Sequence, residues 1–276
     1  GANNALEGAL HALLENGYSV DLRNEEDLLA QLDTYHAVIV PEMENVPDAL
    51  KQALADWVRR GGRLFLSGPF VAVQYGELAG VTPREGSAGG YVPYEDGAII
   101  VNGPYQFVDL NGATELAPLL AQKEPGVEPV GTPAATVNRY GEGKVVAVHG
   151  NLFREYLASH YPGLRRFIGD CFAALETPEL IRLEGPWWLE MSARQRDGNL
   201  LIQFVNRSAG GYLAPNRHVV ESVPNSGPFT VTIPRAEKPT RCYLAPDANG
   251  LEWTWNNGML TVKIPGIGIH DVLVVE

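Results

Sequence analysis

Few residues in this sequence can do chemistry, and their neighbours decide which chemistry. A nucleophile on an α/β sheet sits in a strained strand-to-helix turn flanked by small residues. Ser67, in Leu66-Ser67-Gly68-Pro69, is the candidate that follows a strong apolar strand. Phe65 and Pro69 occupy the two positions where such a turn needs glycine. His149 closes the other strong strand and is the base available to Ser67 if the two strand ends meet. The competing reading is a strand-end serine and a hydrogen-bonded histidine. Glycoside hydrolysis needs instead an acid and a base or nucleophile on either side of the bond. Glu42 and Glu44 follow a strand, and Glu95 and Asp96 lie in an irregular stretch. All four qualify by type, and all four also read as solvated loop acids. Aromatic rings suit the flat C–H faces of sugars. Trp187, Trp188, Tyr91, Tyr94 and Tyr105 are the carbohydrate-contact candidates, with interface packing the alternative for the tryptophan pair.

Other chemistries lack their residues. His11, His36, His149, His160, His218 and His270 show no HxxxH or HxH spacing, so no metal site is expected. Cys171 and Cys242 form no CxxC pattern, and Cys171 sits on an apolar helix stripe as a core residue. Gly86, Gly89 and Gly90 precede no clear helix, and GxxxxGK[ST] is absent, so no phosphate cradle and no cofactor is expected.

The elements that must carry these residues change character along the chain. Residues 1–178 read as an open, mostly parallel, doubly wound α/β sheet. Asn4 and Glu7 resemble a capping box, Leu6, Leu10, Leu13 and Leu14 follow at helical spacing, and Gly17 supplies a left-handed stop. Tyr18–Leu22 alternates as a short strand. Glu25–Tyr35 is helical. His36–Val40 is a β-branched run of the kind covered on both faces. Pro47 to Val58 is an amphipathic helix, with Pro47 in its first turn and Gly61-Gly62 as its stop. Arg63–Leu66 and Lys144–His149 are buried strands, and Leu164 to Leu175 is a last helix. Residues 68–143 are Gly-, Pro- and Tyr-rich, a functional loop or antiparallel insertion. No strand precedes the first helix, which is unusual for a doubly wound domain. Residues 179–276 read as an antiparallel β-sandwich, with a type I′ hairpin signal at Asp197-Gly198 and a turn at Asn256-Asn257-Gly258.

Composition excludes whole classes. The 276 residues carry 21 basic and 33 acidic side chains, a net charge of −12 with no basic run, which argues against nucleic acid and anionic membranes as partners. No apolar stretch reaches the ~18 residues of a membrane span. The small, polar first residues carry no signal-peptide pattern, so a cytoplasmic location is expected.

A family resemblance adds to this. Leu13–Gly68 contains a strand of the form Y-x-x-hydrophobic-hydrophobic-hydrophobic-P at Tyr35–Pro41 and the phrase L-x-x-W-V-x-x-GG-x-hydrophobic at Leu54–Leu64. Tyr140–Val145 is similar to the turn and strand that close such a domain. Leu200–Arg207 resembles the strand opening a C-terminal β-domain, and Gly266–Glu276 its closing strand. Together they resemble the C-terminal region of β-galactosidase- and α-fucosidase-like glycoside hydrolases. That region joins a class I glutamine amidotransferase-like "trimerisation" domain to a β-domain. In the family the acid and nucleophile lie on a preceding (β/α)8 barrel, which needs ~250 residues of its own. The resemblance therefore implies a non-catalytic C-terminal part of a glycoside hydrolase. It would serve oligomerisation and the shaping of the barrel's carbohydrate site. Its partners would be the barrel of the same parent chain, further copies of itself, and carbohydrate. Two alternatives stay open: a free-standing hydrolase using Ser67 and His149, and a carbohydrate-binding module using Trp187, Trp188 and Tyr91. Amidotransferases have a glycine-flanked Cys where Ser67 stands, and Pro-Glu where Gly150-Asn151 follow His149.

Overall fold

The computed structural model describes residues 2–276 apart from 125, 209–210, 215–216 and 221; at residues 2–3 and 211–219 it is described by its backbone. The chain divides into two compact units, 1–12 with 22–178, and 13–21 with 179–276.

The first unit takes α1 (Ala2–Glu15) as far as residue 12, then α2 (Glu25–Gln31), β1 (Ala37–Pro41), α3 (Asp48–Arg59), β2 (Arg63–Ser67) and α4 (Val71–Ala79). Then come β3 (Val81–Tyr94), β4 (Gly97–Leu110), β5 (Thr114–Leu120), β6 (Pro129–Tyr140), β7 (Gly143–Val148), α5 (Leu152–Ser159) and α6 (Pro162–Ala173). One seven-stranded sheet has the order β1-β2-β7-β6-β5-β3-β4. β1, β2 and β7 pair in parallel. The four strands from β3 to β6 pair antiparallel with their neighbours, including β6 on β7. The sheet is thus mixed, not mostly parallel as its helix–strand alternation suggests. The Gly- and Pro-rich middle is the antiparallel half.

The parallel core is built as its sequence requires. β2 and β7 are central, apolar and buried along nearly their whole length. Leu64 and Leu66 join Leu50, Leu54 and Trp57 of α3 and Val71, Tyr75 and Leu78 of α4 in one core. Phe65, on the opposite face, meets Phe153 of α5 with ring centroids 5.5 Å apart. Helices therefore cover this part of the sheet on both faces. β1 is an edge strand: Val38 and Val40 are buried while Ala37 and Ile39 are half-exposed, so its β-branched run is covered on one face only.

Local expectations shift in four places. Asn4 lies inside α1 and so caps nothing. Tyr18–Leu22 forms no strand, and Leu22 is exposed. The helix from Glu25 ends at Gln31, and a single 3-10 turn, Leu32–Thr34, completes the stretch. Pro47 is the residue before α3, where its missing N–H costs nothing. Gly17 does take the left-handed conformation after α1, and the Tyr18 N–H closes onto the Leu13 carbonyl at 3.1 Å.

The second unit holds β8 (Arg182–Glu184), β9 (Leu189–Arg196), β10 (Asn199–Asn206), β11 (Gly211–Ala214), β12 (Arg217–Val219) and β13 (Phe229–Pro234). It continues with β14 (Cys242–Ala245), β15 (Asn249–Gly250), β16 (Glu252–Asn256), β17 (Met259–Ile264) and β18 (His270–Val275). A five-stranded sheet, β15-β14-β18-β10-β9, faces a four-stranded one, β16-β17-β13-β8. Ile202, Phe204 and Leu273 of the first pack with Val231, Leu260 and Val262 of the second, the core of an antiparallel sandwich. Asp197-Gly198 has positive φ at both residues, the type I′ sign pattern its sequence predicts, and the turn at Asn257-Gly258 shares it. Among the described residues no helix is long and apolar enough to cross a membrane.

Candidate functional site

The carboxyl ends of parallel strands are where α/β sheets place their chemistry. Here β1, β2 and β7 end at Pro41, Ser67 and Val148, and the residues that follow form a buried polar cluster. Glu42 leaves β1 with φ +46° and is 3% exposed. Its backbone N–H donates to the Ser67 carbonyl at 2.7 Å, which pins the end of β1 to the end of β2. Its side chain turns to the start of α5. Oε1 accepts the Phe153 N–H at 2.5 Å, and both carboxylate oxygens lie 3.3 Å from the Arg154 N–H. The Arg154 Nε is 3.4 Å from Oε2.

The reason is legible in the helix itself. The first N–H groups of an α-helix have no partner within it. Asn151 precedes α5 but its side chain makes no capping bond. Glu42 supplies the cap from a distant strand, with its charge at the positive end of the helix dipole. Burial pushes its carboxyl up to about 7, against the pull of the Phe153 and Arg154 N–H groups, the Arg154 charge and the Ser67 hydroxyl.

Ser67 is buried and its Oγ donates to the Gly150 carbonyl at 3.1 Å, with Glu42 Oε1 at 3.4 Å. The left-handed backbone of this turn falls on Gly68, φ +136°. His149 is fully enclosed. Its Nε2 bonds Thr136 Oγ at 3.1 Å, while its Nδ1 has no hydrogen-bond partner among the described residues. Burial lowers its pKa to about 4, so the ring is neutral at pH 7. Ser67 and His149 thus end on adjacent strands, yet each bonds to a different group. His149 is not the base on the Ser67 hydroxyl, which bonds instead to the Gly150 carbonyl and lies 3.4 Å from the Glu42 carboxylate.

The carboxylate candidates separate in the same way. A pKa near 7 suits a general acid or base. Glu42 nevertheless spends its oxygens on α5 and is closed to solvent. Glu44 and Asp96 are exposed. Glu95 sits in the β3–β4 turn with φ +52° and pairs with Arg166 at 3.1 Å.

Among the aromatic candidates, Tyr105 is fully enclosed, so it offers no face to a sugar arriving from solvent. Tyr91 is half-buried in β3. Tyr94 donates to Asp170 Oδ2 at 2.7 Å and meets Phe167 edge-on at 6.0 Å. In the second unit Trp187 is 47% exposed and stands at 80° to the Trp188 ring, which leans on the sandwich core. At the opposite end of the first unit's sheet, a cavity of about 480 Å³ is lined by Thr114, Asn138, Arg139, Lys144 and Glu176. Lys144 is held there by Glu176 at 2.6 Å and by the Ala174 carbonyl at 3.2 Å. Sequence spacing finds no pair of histidines, but the fold brings His11 and His160 to 3.1 Å.

No protein-family profile matches the sequence. Solved structures do match the fold. α-L-Fucosidase isoenzyme 2 from Paenibacillus thiaminolyticus superposes with a TM-score of 0.81 at 18% identity, over 99% of this chain and 45% of that one. A β-galactosidase from Bacillus circulans sp. alkalophilus gives 0.61 at 15% identity, over 100% and 38%. A β-galactosidase from Rahnella sp. R3 gives 0.58 at 17% identity, over 98% and 36%. The chain spans less than half the length of these proteins. At such identities the likeness establishes the fold: this chain has the fold of a region found in glycoside hydrolases.

Proposed function

We propose that the chain is a non-catalytic region of a glycoside hydrolase of the α-fucosidase or β-galactosidase kind. One observation carries this reading: nearly the whole chain superposes on less than half of a fucosidase, at a TM-score of 0.81. The site geometry supports it. The strand-end cluster that would house a nucleophile is closed, with its serine hydroxyl on the Gly150 carbonyl and its acid committed to a helix cap. In this reading the α/β unit is amidotransferase-like in descent and serves assembly, the sandwich is its companion, and bond cleavage belongs to a barrel elsewhere in the parent protein. Exposed rings such as Trp187 would help to wall the sugar site.

The test is hydrolysis of aryl fucosides and aryl galactosides by the chain alone. The expected result is no turnover above the uncatalysed rate. Turnover that disappears in Ser67→Ala or Glu42→Gln would overturn the reading and restore a free-standing hydrolase. Tryptophan fluorescence reports the contribution of the rings. A sugar-dependent shift lost in Trp187→Ala is expected if that ring touches sugar.

A further inference from the structure

His11 and His160 lie 149 positions apart, and both belong to the first unit. His11 is on α1. His160 is the residue after α5, in the left-handed conformation, with its N–H on the Tyr156 carbonyl at 2.7 Å. What brings them together is Gly8. A Cβ at Gly8 would fall 2.0 Å from the Phe153 carbonyl oxygen and 3.3 Å from Leu157 Cβ. Glycine alone lets α1 lie this close to α5, and His11 follows it by one turn.

The two rings meet through nitrogen. His11 Nδ1 and His160 Nε2 are 3.1 Å apart, the ring centroids are 5.3 Å apart, and the planes are inclined at 50°. Two imidazole nitrogens each ~2.1 Å from one ion, at an angle between octahedral and tetrahedral, stand about 3.0–3.4 Å from each other. The observed separation is within that bite. Both side chains reach solvent: His11 is half-buried and His160 exposed. The site lies at the carboxyl end of α5, where the helix dipole favours positive charge.

We propose that His11 and His160 form a two-imidazole site for a divalent transition ion of the class that prefers nitrogen ligands: zinc, nickel or copper(II). Without the ion, one ring donates its N–H to the other. Binding moves that proton to the far nitrogen of the same ring, so that both facing nitrogens present lone pairs. Water completes the coordination.

The test is calorimetric titration of the untagged chain with zinc chloride and with nickel chloride. One saturable site of micromolar affinity is expected. His11→Gln and His160→Gln should each weaken it by about tenfold or more. His36→Gln and His270→Gln, at exposed histidines elsewhere, should leave it unchanged. Saturating zinc should raise the unfolding midpoint of the native chain and not of His11→Gln. The proposal fails if no saturable binding is found. It fails equally if binding survives in both His11→Gln and His160→Gln, with circular dichroism showing both variants folded.

Discussion

Glu42 and His149 share one polar cluster, and burial shifts their proton affinities in opposite senses. Glu42 is held at about 7 when folded, above its ordinary 4.5. It therefore favours the fold fully below about pH 4.5, and that contribution is lost as pH rises through about 7. His149 is held at about 4, below its ordinary 6.5. Its contribution is present above about pH 6.5 and is lost as pH falls towards 4. Each swing is on the order of 3 kcal/mol. Between about pH 4.5 and 6.5 the two slopes oppose, and the native chain should show a shallow dependence there. Single variants separate them. Glu42→Gln keeps an acceptor for the Phe153 N–H and leaves His149 alone, so stability should fall as pH drops from about 6.5. His149→Gln should do the reverse, gaining stability as pH drops from about 7. Urea unfolding across this range is the check, and parallel curves for the two variants would contradict the assignment. The residues of this cluster were visible in the sequence as strand ends, but their partners were not. Glu42 reads as half of an acid pair, whereas it caps a helix 111 positions away. Ser67 and His149 read as a dyad, because strand order brings their ends side by side while side-chain direction does not. Direction alternates along each strand, but the register that pairs Ser67 with Val148 and so turns His149 to the opposite face is not a local signal.

At the scale of elements, close approach sets the geometry. Gly8→Ala puts a methyl group into the Phe153 carbonyl, and backbone cannot yield as a side-chain tip can. The variant should lose about 3 kcal/mol of stability in urea unfolding. It should also weaken zinc binding, because His11 moves with α1. A milder loss, about 1 kcal/mol, is expected for Gly258→Ala, where φ +77° is needed to close the β16–β17 hairpin. A thermal or urea midpoint equal to that of the native chain would refute either. Elements with strong periodicity are readable in the sequence. The apolar runs of β2 and β7, the stripe of α3 and the two hairpin turns all follow from their residues. The antiparallel half is less so, for a physical reason. β3 and β4 are each 14 residues long, yet Pro83, Gly86, Gly89, Gly90, Pro93, Gly103 and Pro104 interrupt their alternation. The pairing shifts register at bulges between Pro83 and Ser87 and between Ala88 and Gly90. Such strands are held by tertiary pairing, and their sequences resemble loops.

For the molecule as a whole, charge bears directly on the proposed assembly role. A net charge of −12 makes identical copies repel one another at long range. If the chain self-associates through apolar surface, that repulsion weakens the complex at low ionic strength. Salt shortens the reach of the field, to about 8 Å at physiological ionic strength from about 30 Å at 0.01 M. Sedimentation equilibrium at about 0.01 M and about 0.15 M salt should then show association strengthening with salt. An interface held by ion pairs would do the opposite, since screening weakens exposed pairs. The exposed Phe70 and Val73, near the start of α4, are apolar residues to substitute first. Val73 is 69% exposed, so Val73→Glu leaves the core untouched and adds one more repelling charge per copy. It should abolish association that depends on this face and leave the unfolding midpoint unchanged. A chain that stays monomeric at both salt concentrations and at high protein concentration would remove assembly from the functions of this unit. It would leave the fold likeness to glycoside hydrolases standing.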